Sequence, residues 1–107
     1  MFSNNKHKAI TFSFDDGVTQ DRRLVKLLDK YNLKCTFNLN SLSLGKEGEV
    51  KWQKWIVPHN KVEIDEVKTL YANHEVAVHT SNHPDLTKLS KEKIIKEVED
   101  DRKFLET

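Results

Sequence analysis

The chain has 107 residues, enough for one domain, with 36% hydrophobic and 33% charged residues, a composition typical of a water-soluble globular protein. Its 18 Lys and Arg against 17 Asp and Glu leave a formal charge of +1, which gives no reason to expect a nucleic acid or an anionic membrane as a partner. A single cysteine, Cys35, excludes an internal disulfide.

The sequence shows no export or membrane signal. Residues 1–8 are polar and basic, and no apolar stretch of signal-peptide length follows them. No run approaches the ~18 apolar residues that a membrane helix requires. On sequence alone we therefore predict a cytoplasmic protein that does not span a membrane.

The first half of the chain predicts a strand, a helix and a second strand. Residues 9–14 (AITFSF) are rich in β-branched and aromatic side chains and stop at Asp15-Asp16-Gly17, as a strand does before a turn. Leucines at helical spacing predict a helix over 19–31, and 34–39 (KCTFNL) predicts the second strand. We interpret the polar segment 40–60 as a loop that holds at most a short helix.

The second half predicts a helix, a strand and a last helix. Apolar residues at helical spacing mark the helix over 64–71, and 75–79 (EVAVH) is typical of a strand. Ser90 is placed to cap the last helix, whose apolar face continues to Leu105. Strands that alternate with helices indicate parallel strands, so the predicted fold class is α/β.

The number of strands limits the architecture. Three parallel strands are predicted, whereas a closed (β/α) barrel takes roughly 200 residues or more. We therefore expect the first half of a barrel-like domain, with residues 1–107 as a single partial domain that lacks its C-terminal half. A sheet edge without a partner tends to pair with another chain, so self-association through the unpaired edge is also expected.

Acidic and imidazole side chains follow the predicted strands. Asp15 and Asp16 end the first strand, His79 ends the third, and His83 lies in the loop after it. The carboxyl edge of a parallel sheet is where functional side chains meet. An Asp pair before Gly is usually a solvated turn, and an isolated His-x-x-x-His is usually coincidence. Together they indicate a shared cation at a three-ligand site with open positions, as in catalytic zinc centres.

Two motifs in the chain resemble those of the polysaccharide deacetylase family, also called carbohydrate esterase family four. Residues 11–17 (TFSFDDG) look like its first motif, and residues 79–83 (HTSNH) look like its second, His-(Ser/Thr)-x-x-His. The resemblance covers roughly residues 8–106. Two independent motifs in the right order make it specific.

This resemblance implies a metal-dependent hydrolase that removes acetyl groups from a polysaccharide, either of the N-acetylglucosamine type or of the acetylated xylan type. By position, Asp16, His79 and His83 become the ligands of one divalent metal, with zinc expected and cobalt or nickel as alternatives. Asp15 becomes the general base. Members of the family often work outside the cell or at the cell wall.

The chain also departs from the family pattern. The Arg of the family's third motif and the late histidine that protonates the leaving amine have no counterpart before Thr107. The resemblance therefore leaves the activity of these residues by themselves open. The alternative function is a non-catalytic metal- or glycan-binding remnant of the same fold.

Several other residues have weaker claims to a role. Trp52 and Trp55 are weak candidates for substrate binding, because they could stack on sugar rings or equally cover the core from a loop. Cys35 is predicted to be a buried structural thiol. We assign no role to His59, and we interpret His74 as an ordinary surface or strand-edge residue.

Overall fold

A computed structural model describes residues 2–107. Within them the chain forms a three-stranded parallel sheet, a two-stranded hairpin and three α-helices. In chain order the elements are β1 (Ser13–Asp15), α1 (Asp21–Lys30), β2 (Thr36–Leu39), β3 (Glu49–Trp52), β4 (Trp55–Pro58), α2 (Val67–Leu70), β5 (Glu75–Val78) and α3 (Lys91–Leu105).

The parallel sheet has the strand order β1-β2-β5. Asp15 of β1 is in register with Asn38 of β2, and Leu39 at the end of β2 is in register with Val78 at the end of β5. All three strands run the same way, so their carboxyl ends form one edge. The predicted α/β class and the three parallel strands are confirmed.

The core forms around the central strand, β2. Phe37 and Leu39 are fully buried there, and the Phe37 ring packs 4.6 Å from that of Tyr71. Helix α1 covers the sheet with Val25 and Leu28, one turn apart on its buried face. Full burial of such side chains stabilises a fold by about 1.5–3 kcal/mol each. Cys35 is also buried, as predicted, and burial raises the pKa of its thiol.

The prediction of a loop over 40–60 was wrong for the hairpin of β3 and β4, whereas the short helix allowed in this segment is the 3₁₀ turn Ser41–Ser43. The strands pair antiparallel and put Trp52 opposite Trp55, with a two-residue turn between them. Every residue of both strands is exposed, so no alternation of buried and exposed positions marks them in the sequence. The turn residues, Gln53 and Lys54, also lack the Asn-Gly or Asp-Gly pattern that announces a hairpin.

Other elements also differ in extent from the prediction. The first strand begins at Ser13 instead of residue 9, because pairing with β2 starts only at that position. The helix predicted over 64–71 is a 3₁₀ turn, Ile64–Glu66, followed by the short α2. The strand predicted over 75–79 ends one residue earlier, at Val78.

The start of the last helix was predicted correctly. The Ser90 hydroxyl accepts a hydrogen bond from the Lys93 backbone N–H and caps α3. No helix within residues 2–107 combines the length and the apolar character needed to cross a membrane. In the same residues, β1 and β5 each pair on one side only, and self-association through such an edge stays a prediction.

Candidate metal centre

The structure brings Asp16, His79 and His83 together at the carboxyl edge of the sheet. One carboxylate oxygen and one nitrogen of each imidazole all lie within 4.8 Å of one another. Asp16 Oδ1 is 3.5 Å from His79 Nε2 and 3.8 Å from His83 Nε2. These distances follow from the sheet topology, because β1 and β5 both end at this edge.

The backbone around these residues is strained. Asp16 has a φ of 79°, Thr80 of 66° and His83 of 56°, all in the left-handed region. A non-glycine residue held there costs about 1–3 kcal/mol. Gly17 also has a positive φ, and a Cβ at this position would lie 2.8 Å from Leu39 Cδ2, so the turn after Asp16 requires glycine. Such strain is typical of functional loops, where surrounding contacts hold it in place.

Asp101 of α3 holds the ends of β2 and β5 together. It is fully buried, and its two carboxylate oxygens accept hydrogen bonds from the backbone N–H groups of Ser41 (2.7 Å) and His79 (2.8 Å). Sequence reasoning missed it, because the mixed charges of residues 91–103 indicate a solvated helix face. Its spacing was the missed signal, since Asp101 falls on the same helix face as Val98 and Leu105.

Further polar contacts hold the loop that carries the two histidines. The side-chain NH₂ of Asn40 donates to the backbone carbonyls of His79 and Thr80. Glu97 of α3 accepts from the Asn82 backbone N–H and from its side chain, each at 3.0 Å. The loop is thus tied both to the end of β2 and to α3, and this positions the imidazoles.

The adjacent aspartates have different environments. The Asp15 side chain is 56% exposed, whereas that of Asp16 is 24% exposed. Asp15 Oδ1 accepts a hydrogen bond of 2.8 Å from Asn38 Nδ2, and its Oδ2 lies 3.8 Å from His79 Nε2. One carboxylate therefore points between the imidazoles, while the other lies beside them and faces solvent.

His59 also reaches the site, which the sequence did not indicate. Its Nε2 lies 3.1 Å from Asp16 Oδ2, and Lys61 Nζ lies 4.0 Å from the same oxygen. Burial lowers the pKa of the Lys61 ammonium. Since His59 directly follows β4, the contact could be foreseen only by predicting the hairpin.

The two tryptophans do not cover the core, so that alternative was wrong. Trp52 and Trp55 are 67% and 61% exposed and pair at the turn end of the hairpin. Trp55 and His59 are four positions apart along the chain, about 13 Å when extended. The ring pair is therefore set apart from the imidazoles, on a surface open to solvent.

His74 was wrongly interpreted as a surface or edge residue. Its side chain is fully buried, and its Nε2 lies 2.8 Å from Asp29 Oδ1. Its ring packs edge-on against Phe37, with centroids 5.5 Å apart. Because His74 precedes β5, it lies at the end of the sheet opposite to His79 and supports packing there.

The residues present fit a divalent metal. Asp16 Oδ1 is a buried carboxylate oxygen without a hydrogen-bond partner, and it faces two imidazole nitrogens. A buried acceptor of this kind is costly unless something satisfies it. Two nitrogens and one carboxylate oxygen match the ligand preference of zinc and of similar borderline metals.

A parallel α/β sheet with this ligand set at its carboxyl edge defines a protein with a candidate three-ligand metal site. A family model described as "Polysaccharide deacetylase" matches residues 2–107. The chain belongs to the polysaccharide deacetylase family.

Comparison with solved structures supports the fold. The deacetylase PplD of Streptococcus pyogenes, solved in complex with acetate, is similar with a TM-score of 0.75 at 22% sequence identity. The match covers 94% of this chain and 41% of that one, so the chain spans less than half of PplD. A search of curated proteins found no significant match.

Proposed function

We propose that this chain supplies the metal ligands and the general base of a metal-dependent hydrolase that removes acetyl groups from an acetylated polysaccharide. One observation carries the proposal. Asp16 Oδ1 is buried without a hydrogen-bond partner, 3.5 and 3.8 Å from the Nε2 atoms of His79 and His83. The family to which the chain belongs gives this ligand set its chemical context.

In this proposal Asp16, His79 and His83 hold one divalent metal, and zinc suits the two nitrogens and one oxygen best, with cobalt or nickel as alternatives. When bound, the metal supplies Lewis acidity, which makes a water easier to deprotonate and stabilises negative charge that develops on the acetyl oxygen. The side chain of His83 is 60% exposed, which leaves the site open to a substrate from that direction.

Asp15 is the proposed general base. An ionised carboxylate only accepts hydrogen bonds, and Asn38 already donates to Oδ1, so Oδ2 is the atom that takes the proton of the attacking water. The water oxygen adds to the acetyl carbonyl carbon, the bond from that carbon to nitrogen or oxygen breaks, the freed nitrogen or oxygen takes up the proton from Asp15 through solvent, and acetate is released. The solvent exposure of Asp15 lets the proton move on afterwards.

An acetylated polysaccharide of the N-acetylglucosamine type is the proposed substrate, and an acetylated xylan is the alternative. A cavity of about 240 Å³ adjoins the imidazoles and is lined by His79, Thr80, His83, Pro84 and Leu86. Its Pro84 and Leu86 offer an apolar surface to an acetyl methyl group. PplD, which shares the fold, was solved with acetate, and acetate is the product expected of this chain's proposed reaction.

Separate substitution of the two aspartates tests the proposal in the protein at its natural full length. Asp15→Asn should keep the metal while acetate release falls by about 10²–10⁴-fold, the usual contribution of a general base. Asp16→Asn should lose both metal and activity. Metal content is measured by atomic emission, and acetate release on an N-acetylglucosamine oligomer and on acetylated xylan.

Each outcome assigns a role. Equal loss of metal from both variants would show that the ligand and the base have been confused. Stoichiometric metal in the unsubstituted protein without acetate release from either polymer would favour the non-catalytic binding alternative.

A further inference from the structure

Backbone hydrogen bonds hold the segment after β4 against the turn that follows Asp16. The Thr19 N–H donates to the Asn60 carbonyl (2.8 Å), and the Val62 N–H donates to the Gly17 carbonyl (2.9 Å). Val62 is fully buried. Residues 59–62 are therefore fixed beside the Asp16 turn along their length.

The other side of this segment is tied as well. The His59 N–H donates to the Gly48 carbonyl, and the Lys61 N–H donates to the Lys46 carbonyl, both at 2.8 Å. These two hydrogen bonds extend the antiparallel pairing of the hairpin beyond β3 and β4. His59 reaches Asp16 from a fixed backbone position, in contrast to a side chain on a free loop.

Two groups contact the imidazole Nε2 of His59, the Asp16 carboxylate and the Lys61 ammonium. A carboxylate has no hydrogen to donate, so a hydrogen bond across the 3.1 Å between its Oδ2 and the imidazole Nε2 needs a hydrogen on Nε2, whereas a hydrogen bond from the Lys61 ammonium, 3.2 Å from the same nitrogen, needs Nε2 without one. Lys61 Nζ also lies 4.0 Å from Asp16 Oδ2, so a hydrogen on Nε2 leaves both His59 and Lys61 directed at that oxygen. The other oxygen, Oδ1, receives no hydrogen bond.

We infer that His59 is a positioning residue for the metal carboxylate, an inference that rests on the metal site of the proposed function. Its Nε2–H holds Asp16 Oδ2 and so leaves Oδ1 as the single oxygen that faces the two imidazoles. A hydrogen bond to the far oxygen of a carboxylate ligand fixes its orientation and raises metal affinity. Because the backbone of Asp16 is strained, the hydrogen bond from His59 helps to hold the Asp16 side chain in one orientation.

The geometry favours positioning over direct ligation by His59. Among residues 2–107, the cluster of donor atoms within 4.8 Å of one another contains Asp16, His79 and His83 and excludes His59. His59 contacts Asp16 Oδ2, whereas the Asp16 atom paired with His79 and His83 is Oδ1. It therefore contacts the carboxylate without belonging to the cluster of three donor atoms.

The test compares His59→Ala with His59→Gln, because glutamine presents an Nε2–H at the same number of bonds from the backbone. We expect His59→Ala to weaken Co²⁺ affinity by about 10–100-fold, the usual effect of losing such a partner. His59→Gln should restore affinity to within a few-fold of the unsubstituted protein. When saturated with Co²⁺, both variants should show the same visible absorption bands as the unsubstituted protein, since no ligand is lost.

Nitrogen NMR of the imidazoles provides a readout that needs no metal. The metal-free protein should show the His59 hydrogen on Nε2, and Asp16→Ala should remove that preference. A hydrogen on Nδ1 would overturn the inference, and so would unchanged Co²⁺ affinity in His59→Ala.

Changed absorption bands at saturation in His59→Ala would make His59 a ligand instead of a positioning residue, and would also overturn the inference. These results leave the proposed function intact as long as His79→Ala abolishes binding. Absence of Co²⁺ and Zn²⁺ binding in the unsubstituted protein would overturn both the proposed metal site and the positioning role of His59.

Discussion

Two regions support the same carboxylate and imidazole cluster in different ways. The loop of His79 to His83 is held by buried polar contacts, above all by Asp101, which is fully inaccessible to solvent. The hairpin of β3 and β4 is exposed at every strand position, and only its base, at His59, contacts the cluster. Burial supports one side of the site, and backbone pairing at the foot of an exposed hairpin supports the other.

The contacts beneath the histidine loop therefore stabilise the fold, whereas the hairpin acts on the site alone. Substitution beneath the histidine loop should destabilise the protein strongly, because buried N–H groups lose the carboxylate that accepts from them. Substitution along the hairpin should leave the fold intact. Single substitutions in the two regions test that separation, from the largest expected effect to the smallest.

Asp101→Ala should have the largest effect. The Ser41 N–H would lose its buried acceptor, and the His79 N–H would keep only the Leu39 carbonyl. The expected cost in the free energy of unfolding is about 1.5–3 kcal/mol for each of the two lost hydrogen bonds. Urea unfolding measures this loss. Asp100→Ala is the matched control, because the neighbouring Asp100 pairs with Lys96 on the exposed face and should leave stability near that of the unsubstituted protein. Equal effects of the two substitutions would remove the distinction between the buried and exposed faces of α3.

Tyr71→Phe should have an intermediate effect, about 1–3 kcal/mol, because its hydroxyl donates to the buried Asp21 Oδ2 at 2.7 Å. The ring would keep its packing on Phe37. This contact lies under the loop between β1 and α1, so it tests burial on the Asp16 side of the site. A loss confined to hydrogen bonding should leave the far-ultraviolet circular dichroism, which reports the backbone, unchanged.

Asp21 also predicts a pH dependence. Burial raises its pKa above the ordinary value of 3.8, so the folded state retains a proton that the unfolded chain has released. Stability should therefore fall as pH rises from 3.8 through the raised pKa of the folded protein. Asp21→Asn should flatten that part of the profile. Urea unfolding between pH 3 and pH 7 checks this, and a profile unaltered by the substitution would exclude Asp21 as its source.

Trp52→Ala should have the smallest effect on stability, since a cross-strand pair contributes about 0.2–1 kcal/mol. Its metal affinity should equal that of the unsubstituted protein, because the exposed ring lies at the far end of the hairpin from His59. A large loss of stability or of metal affinity would show that the whole hairpin, and not only its base, supports the site. Weaker binding of an N-acetylglucosamine oligomer with both properties intact would favour a role of the ring in substrate binding.

The sequence predicted the parts of the fold that have a regular pattern of apolar residues or that match a known motif. The strands that end at Asp15 and Val78 have β-branched or aromatic runs before clear breaks, and their order implied one shared edge. The hairpin was not predicted because neither of its faces is buried and its turn lacks glycine. The role of Asp101 was not predicted because it depends on what α3 packs against. One of its partners, Ser41, lies 60 positions away in the chain.

The central claim is that Asp16, His79 and His83 bind one divalent metal, and calorimetric titration with Zn²⁺ tests it most directly. The unsubstituted protein should bind one Zn²⁺ per chain, and His79→Ala should abolish binding. His7→Ala, at an exposed histidine before β1, should bind as the unsubstituted protein does. Unchanged Zn²⁺ affinity in His79→Ala would contradict the account.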